Sequence, residues 1–217
     1  MTTLTQGQVK GILARKGFTA ETPAQISQAV RVFQDAWRLP YMVGDVRHTV
    51  PLVVDEAVGP LTSGALLESD RLARAGKPDM APHFSFREFA CPCKGSCHGC
   101  RGIAVAGALG DGLVLLRTKY YPDGLHIISG YRCPEKNDAV DGASSSMHLY
   151  GAGVDIAPRV STNNVKALGA FSGIGTNKRS GKVSHVDVRG VARATAPVPP
   201  NATGATVRNP SRWQYAR

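Results

Sequence analysis

The sequence predicts a chain in two parts: an all-helical first part, residues 1–75, and a second part, residues 83–195, that mixes helices with short strands. Three observations predict this. Apolar residues recur at helical spacing three times before residue 75. The segment 76–82, with two prolines and a glycine, reads as a linker. Beyond it, short β-branched runs alternate apolar and polar positions.

Taken in order, Val9, Ile12 and Leu13 mark a first short helix within 4–16. Thr22 as cap and Pro23 at the first helical position open a second, with Ile26, Val30, Phe33 and Trp37 on one face. A third is expected over 62–74, with Leu66, Leu67 and Leu72 turned inward, and the stretch 39–60 before it is expected to be irregular. Ser85 with Glu88 three residues on forms a capping box for a short helix. Helices are expected over 103–120 and 161–170, and strands over Leu125–Ile128, read as buried, Val154–Ala157 and Val183–Val188. From Ala196 the prolines and glycines argue against regular structure, so 196–217 is expected as a loosely ordered tail anchored by Trp213 and Tyr215.

The formal net charge is +10, and it is unevenly placed. Residues 1–80 carry nine Lys/Arg and eight Asp/Glu, whereas 81–217 carry seventeen and eight. A basic half suits a polyanionic partner, either nucleic acid or an anionic cell-wall polymer. No arginine-rich run or base-stacking aromatic motif supports nucleic acid. The polar N-terminus carries no secretory pattern, and the longest apolar stretch, Ile103–Leu116, is too interrupted to span a bilayer. The expectation is a soluble chain made in a cytoplasm, a monomer without stable membrane insertion.

Ala29-Val30-Arg31-Val32-Phe33-Gln34, followed by Val54-Asp55-Glu56-Ala57-Val58-Gly59-Pro60-Leu61-Thr62, resembles the three-helix peptidoglycan-binding domain family. The likeness covers residues 5–70 and departs from the family at Tyr41–Val50, where the family is shorter. It implies that residues 1–75 bind peptidoglycan.

The second part carries a candidate metal site. His148 and Asp155 are donors that zinc accepts, and Gly151 and Gly153 between them permit a tight turn. Alternation along Val154-Asp155-Ile156 and Val183–Arg189 puts Asp155 and His185 on polar strand faces, with Asp187 and Arg189 beside His185. Two histidines and one carboxylate leave a fourth position for water, as in catalytic zinc. Together with Ser129-Gly-Tyr-Arg132, Asn137, Gly142-Ala143, Ser146-Met-His148 and the opening His83-Phe-Ser85, these residues resemble the zinc D-alanyl-D-alanine carboxypeptidase family, which includes L-alanyl-D-glutamate endolysins. The resemblance covers 83–190. It implies a small α+β fold with an antiparallel sheet, shared with the hedgehog signalling domain, and His148, Asp155 and His185 as zinc ligands.

Further roles follow from chemistry and the resemblance. Arg132 is the candidate for stabilising the oxyanion that develops on the scissile carbonyl. Ser146 matches a family position near substrate, or makes a turn hydrogen bond. Many family members have a carboxylate three residues before the last histidine ligand, where this chain has Lys182. Asp187 is therefore either the general base or a partner that orients His185.

Four of the five cysteines lie in Cys91-Pro-Cys93-Lys-Gly-Ser-Cys97-His98-Gly-Cys100. They can form a second, structural zinc site, with His98 as a substitute ligand, or disulfides that include Cys133, or free thiols. The expected function is a zinc peptidase cutting the peptide part of peptidoglycan, of the phage endolysin type, reaching the wall through a separate membrane pore. Two rivals are a metal-dependent wall-binding module without turnover and a basic zinc-knuckle protein that binds nucleic acid.

Overall fold

The structure is a computed structural model that describes residues 3–49 and 51–190 and the backbone of 211–215. Helix α1 spans Gln6–Lys16 and α2 spans Pro23–Ala36. Each opens on a reciprocal cap: Thr5 with Gln8, and Thr22 with Gln25. The threonine oxygen accepts from the third helical N–H while the glutamine side chain accepts from the threonine N–H, so two otherwise unmatched donors are satisfied at each start. Helix α3 spans Pro60–Arg74.

The stretch expected to be irregular contains a small hairpin, β1 at Tyr41–Val43 and β2 at Val46–His48, which packs on α3. Three-residue strands are too short to print an alternation. The rest of the 39–60 connection is organised by Gln34, itself buried. Its amide donates to Asp55 Oδ1 (2.8 Å), the Ala57 carbonyl (2.9 Å) and Thr62 Oγ1 (3.2 Å). Its oxygen accepts from the N–H groups of Asp55 and Glu56. Leu66 is buried as expected, but Leu67 lies one step round the helix and is 52% exposed.

Residues 76–82 are not a free linker. Asp79, Met80 and Ala81 are buried. Asp79 pairs with Lys16 of α1 at 2.5 Å, with both side chains almost fully enclosed. Its other oxygen accepts from the Phe86 N–H at 3.1 Å, and its carbonyl accepts from Ser69 Oγ at 2.7 Å. The Phe86 ring stacks on Phe33 of α2, centroids 5.4 Å apart, and also meets Phe18. One hydrophobic core therefore runs unbroken from Val9 to Val188.

The second part begins with a short 3₁₀ helix, Phe86–Phe89, in which the Glu88 carboxylate accepts from the Ser85 N–H at 2.7 Å. Helix α4, Gly107–Tyr120, follows and packs against α2. The sheet is built from β3 (His126–Ser129), β4 (Gly153–Val160), β5 (Gly173–Asn177), β6 (Val183–Asp187) and β7 (Ser211–Tyr215), in the order β3-β4-β6-β5-β7. All pairings are antiparallel except that of β7 with β5. Helices α5 (Pro134–Asp138) and α6 (Thr162–Leu168) and a 3₁₀ turn at Met147–Tyr150 complete it. The architecture is α+β.

Three expectations change here. Strand β3 is an edge strand and not a buried one, with Ile128 66% exposed. Strand β5, Gly-Ile-Gly-Thr-Asn, had no strand signal because its glycines erase the alternation. Within the tail expected to lack regular structure, 211–215 adds a parallel strand, Trp213 opposite Gly175 and Tyr215 opposite Asn177. The other tail positions from 196 lie outside the described residues.

Candidate metal centre

The antiparallel register of β4 and β6 sets Asp155 directly across from His185. Val154, Ile156, Val186 and Val188 enter the core, and that burial fixes which face carries the polar side chains. His148 comes from the 3₁₀ turn just before β4, which closes at Gly151 with φ 64°, a conformation that glycine adopts without strain. The three donors converge. His148 Nε2 lies 3.2 Å from His185 Nδ1 and 3.3 Å from Asp155 Oδ1, and His185 Nδ1 lies 2.9 Å from Asp155 Oδ1.

Both imidazoles have their tautomer set by a neighbour. His148 Nδ1–H donates to the Gly130 carbonyl at 2.6 Å, which can only accept, so Nε2 carries the lone pair, with Arg132 Nη2 3.2 Å away. His185 faces Asp187 Oδ2 through Nε2 at 3.3 Å, which leaves Nδ1 as its donor atom. Zinc bonds of about 2.0–2.1 Å to nitrogen or oxygen give a tetrahedron with edges of about 3.3–3.4 Å. The observed triangle is close to one face of it. The residues present fit a zinc ion in donor type, tautomer and spacing.

Burial would raise the Asp155 carboxyl, but the two histidines hold it well below the usual range. Burial lowers His148. Burial acts the same way on His185, but the carboxylates of Asp155 and Asp187 outweigh it and raise that ring.

The donors open onto a cleft of about 550 Å³, whose wall includes Arg132, Asp141, Ser146 and Arg189. Arg132 Nη2 donates to Asp155 Oδ2 at 2.6 Å and its Nε donates to Ser129 Oγ at 3.0 Å. The Ser146 hydroxyl has no hydrogen-bond partner among the described residues; its backbone N–H makes the turn bond instead, to the Ala143 carbonyl at 2.9 Å. Asn137, buried beneath, donates to the Gly142 and Ala143 carbonyls and holds this wall in place.

Asp187 does not reach the cleft. It is fully buried behind His185, its carboxylate gripped by the Arg189 guanidinium at 2.6–3.1 Å. Gly173 on β5 leaves the space it needs, since a Cβ there would sit 2.1 Å from Asp187 Oδ1. Asp187 thus lies against the His185 ring and outside the cleft lining. Lys182 is exposed. Asp141 also lines the cleft, in a left-handed backbone conformation (φ 51°). Nothing in the local sequence sets it apart from other loop aspartates.

The cysteines assemble differently from the run of four expected. The sulfurs of Cys91, Cys93, Cys100 and Cys133 lie mutually within 4.8 Å, and Cys97 packs against this group. His98 is exposed.

Two histidines and one carboxylate on the wall of an open cleft form the donor set of a mononuclear hydrolytic metal site. The Peptidase M15 family model matches residues 82–187, a span that contains all three donors together with Arg132. The match supports a zinc-dependent metallopeptidase. No curated protein matches the chain.

Proposed function

We propose that this protein is a zinc peptidase that hydrolyses a peptide bond in the stem peptide of bacterial peptidoglycan, as phage-type endolysins do. The observation that carries the reading is the triangle of His148, Asp155 and His185, with both tautomers fixed, opening onto the cleft. Two ligands on adjacent antiparallel strands also support the hedgehog-like form of the fold. Zinc, when bound at these residues, supplies an activated water and polarises the scissile carbonyl.

The protein's own groups do the remaining work. Arg132, anchored through Asp155 and Ser129, brings a fixed positive charge to the edge of the cleft where oxyanion charge develops. Ser146 offers a free hydroxyl to the peptide backbone. Asp141, the cleft-wall carboxylate outside the donor triangle, would serve as the proton-transfer group. Residues 1–75 hold the wall, and the basic charge of 81–217 favours its anionic polymers. The protein works as a monomer outside the membrane.

The test is incubation of the zinc-loaded protein with purified cell walls and mass spectrometry of the released peptides. New amine and carboxyl ends within the stem peptide are expected. His148→Ala, Asp155→Ala and His185→Ala should each abolish them and reduce bound zinc. A zinc-loaded protein that sediments with walls and cleaves nothing would favour the non-catalytic wall-binding module, a reading kept in view by Lys182. A nucleic-acid-binding role would leave the metal triangle without a purpose.

A further inference from the structure

We propose that Cys91, Cys93, Cys100 and Cys133 form a second metal site, a structural zinc held by four thiolates, independent of the peptidase reading. The Cys93 and Cys100 sulfurs are 3.3 Å apart, Cys91 and Cys133 are 3.6 Å apart, and Cys93 and Cys133 are 3.9 Å apart. All four sulfurs lie within 4.8 Å of one another. A disulfide needs about 2.05 Å. Zinc–sulfur bonds of about 2.3 Å give a tetrahedron with edges of about 3.8 Å. The cluster matches the second figure, and it groups all four sulfurs where two disulfides would isolate them in pairs.

The surrounding backbone is arranged as thiolate ligands require. The Gly102 N–H points at Cys100 Sγ and the Cys133 N–H at Cys91 Sγ, both at 3.4 Å. Just after Cys93 the chain turns through two left-handed residues, Lys94 (φ 52°) and Gly95 (φ 84°), which curls the loop round the sulfurs. Cys91, Cys100 and Cys133 are buried and Cys93 is half-buried, and they pack with Tyr131 and Ala104 in a small cluster separate from the main core. A divalent cation held by the four thiolates would make them a cross-link.

What that cross-link fastens is specific. It ties the loop 91–102 to the segment 130–133. That segment supplies the Gly130 carbonyl that sets the His148 tautomer, and it carries Arg132.

The test uses the full chain and needs no substrate. Zinc-loaded protein should contain two zinc ions, and the double variant His148→Ala/His185→Ala should keep one. With cobalt(II) in place of zinc, that variant should show the sulfur-to-cobalt charge-transfer band and intense visible bands of a tetrahedral thiolate site. Cys97→Ser should retain the band and Cys133→Ser should lose it. Denatured without reductant and with chelator, the protein should react as five free thiols. A single reactive thiol would establish two disulfides and overturn the proposal. So would loss of all metal from the double variant, or cobalt bound without the thiolate band.

Discussion

Asp187 stands behind His185, its Oδ2 3.3 Å from Nε2 on the ring edge away from Asp155, and Arg189 locks the carboxylate in that place. The pairing makes Nδ1 the donor atom and turns it toward His148 and Asp155. Truncating Asp187 to alanine removes the carboxylate that faces His185 Nε2 and accepts from Arg189. Zinc affinity should fall about 10–100-fold, the usual cost of losing such a partner. Competition titration against a chelator measures it. Unchanged affinity in a folded Asp187→Ala variant would remove the orienting role.

Arg132→Lys should lower kcat about a hundredfold and leave KM nearly unchanged. Lysine keeps the charge but cannot bond Asp155 and Ser129 together, so its charge sits elsewhere. A donor that acts on the developing oxyanion is felt in turnover. If steady-state kinetics show KM rising alone, Arg132 clamps a substrate carboxylate instead.

Asp141→Asn should reduce kcat by about 10²–10⁴-fold, the usual contribution of a general base, with zinc content unchanged. Asparagine tolerates the left-handed backbone at this position, so the loop should keep its shape. Metal analysis beside the kinetics separates a proton-transfer defect from a lost ion. Wild-type turnover would exclude Asp141 as the base.

Lys16→Met should destabilise the fold by about 3–5 kcal/mol, because it leaves the Asp79 carboxylate buried without its partner. Adding asparagine at position 79 should restore most of the loss, since the amide is neutral and its oxygen can still accept the Phe86 N–H. Denaturant melts of the single and double variants check both, and equal loss in the two would mean that the pairing itself contributes little.

The convergence of His148, Asp155 and His185 was readable in the sequence because they sit where the pattern is strongest: glycines at 151 and 153 flank the start of one strand, and alternating valines frame the other. The cap at Thr22 and the capping box of Ser85 with Glu88 had equally local causes. What was hidden depends on distant chain. Which four cysteines come together, with Cys133 in place of Cys97, is decided by the fold. The position of Asp187 behind a ring follows from Gly173 opposite it, on a strand whose own glycines left no periodic signal. The segment 76–82 reads as a linker by composition, and its burial comes from Lys16 and Ser69, which local pattern cannot supply.

The stacking of Phe86 on Phe33 has a consequence for how such a protein explores a wall. Helices joined to a hydrolase by a slack tether let it sweep a sphere of bonds round each anchoring point. Here the aromatic stack, the Lys16–Asp79 pair and a shared core pack the helices against the second part. Anchored through its helices, the molecule would act as a gauge of fixed length, reaching only bonds at a set offset and orientation from the anchor. Transplanting residues 1–75 onto another hydrolase would expose the buried faces of Phe33 and Lys16 and lose that spacing.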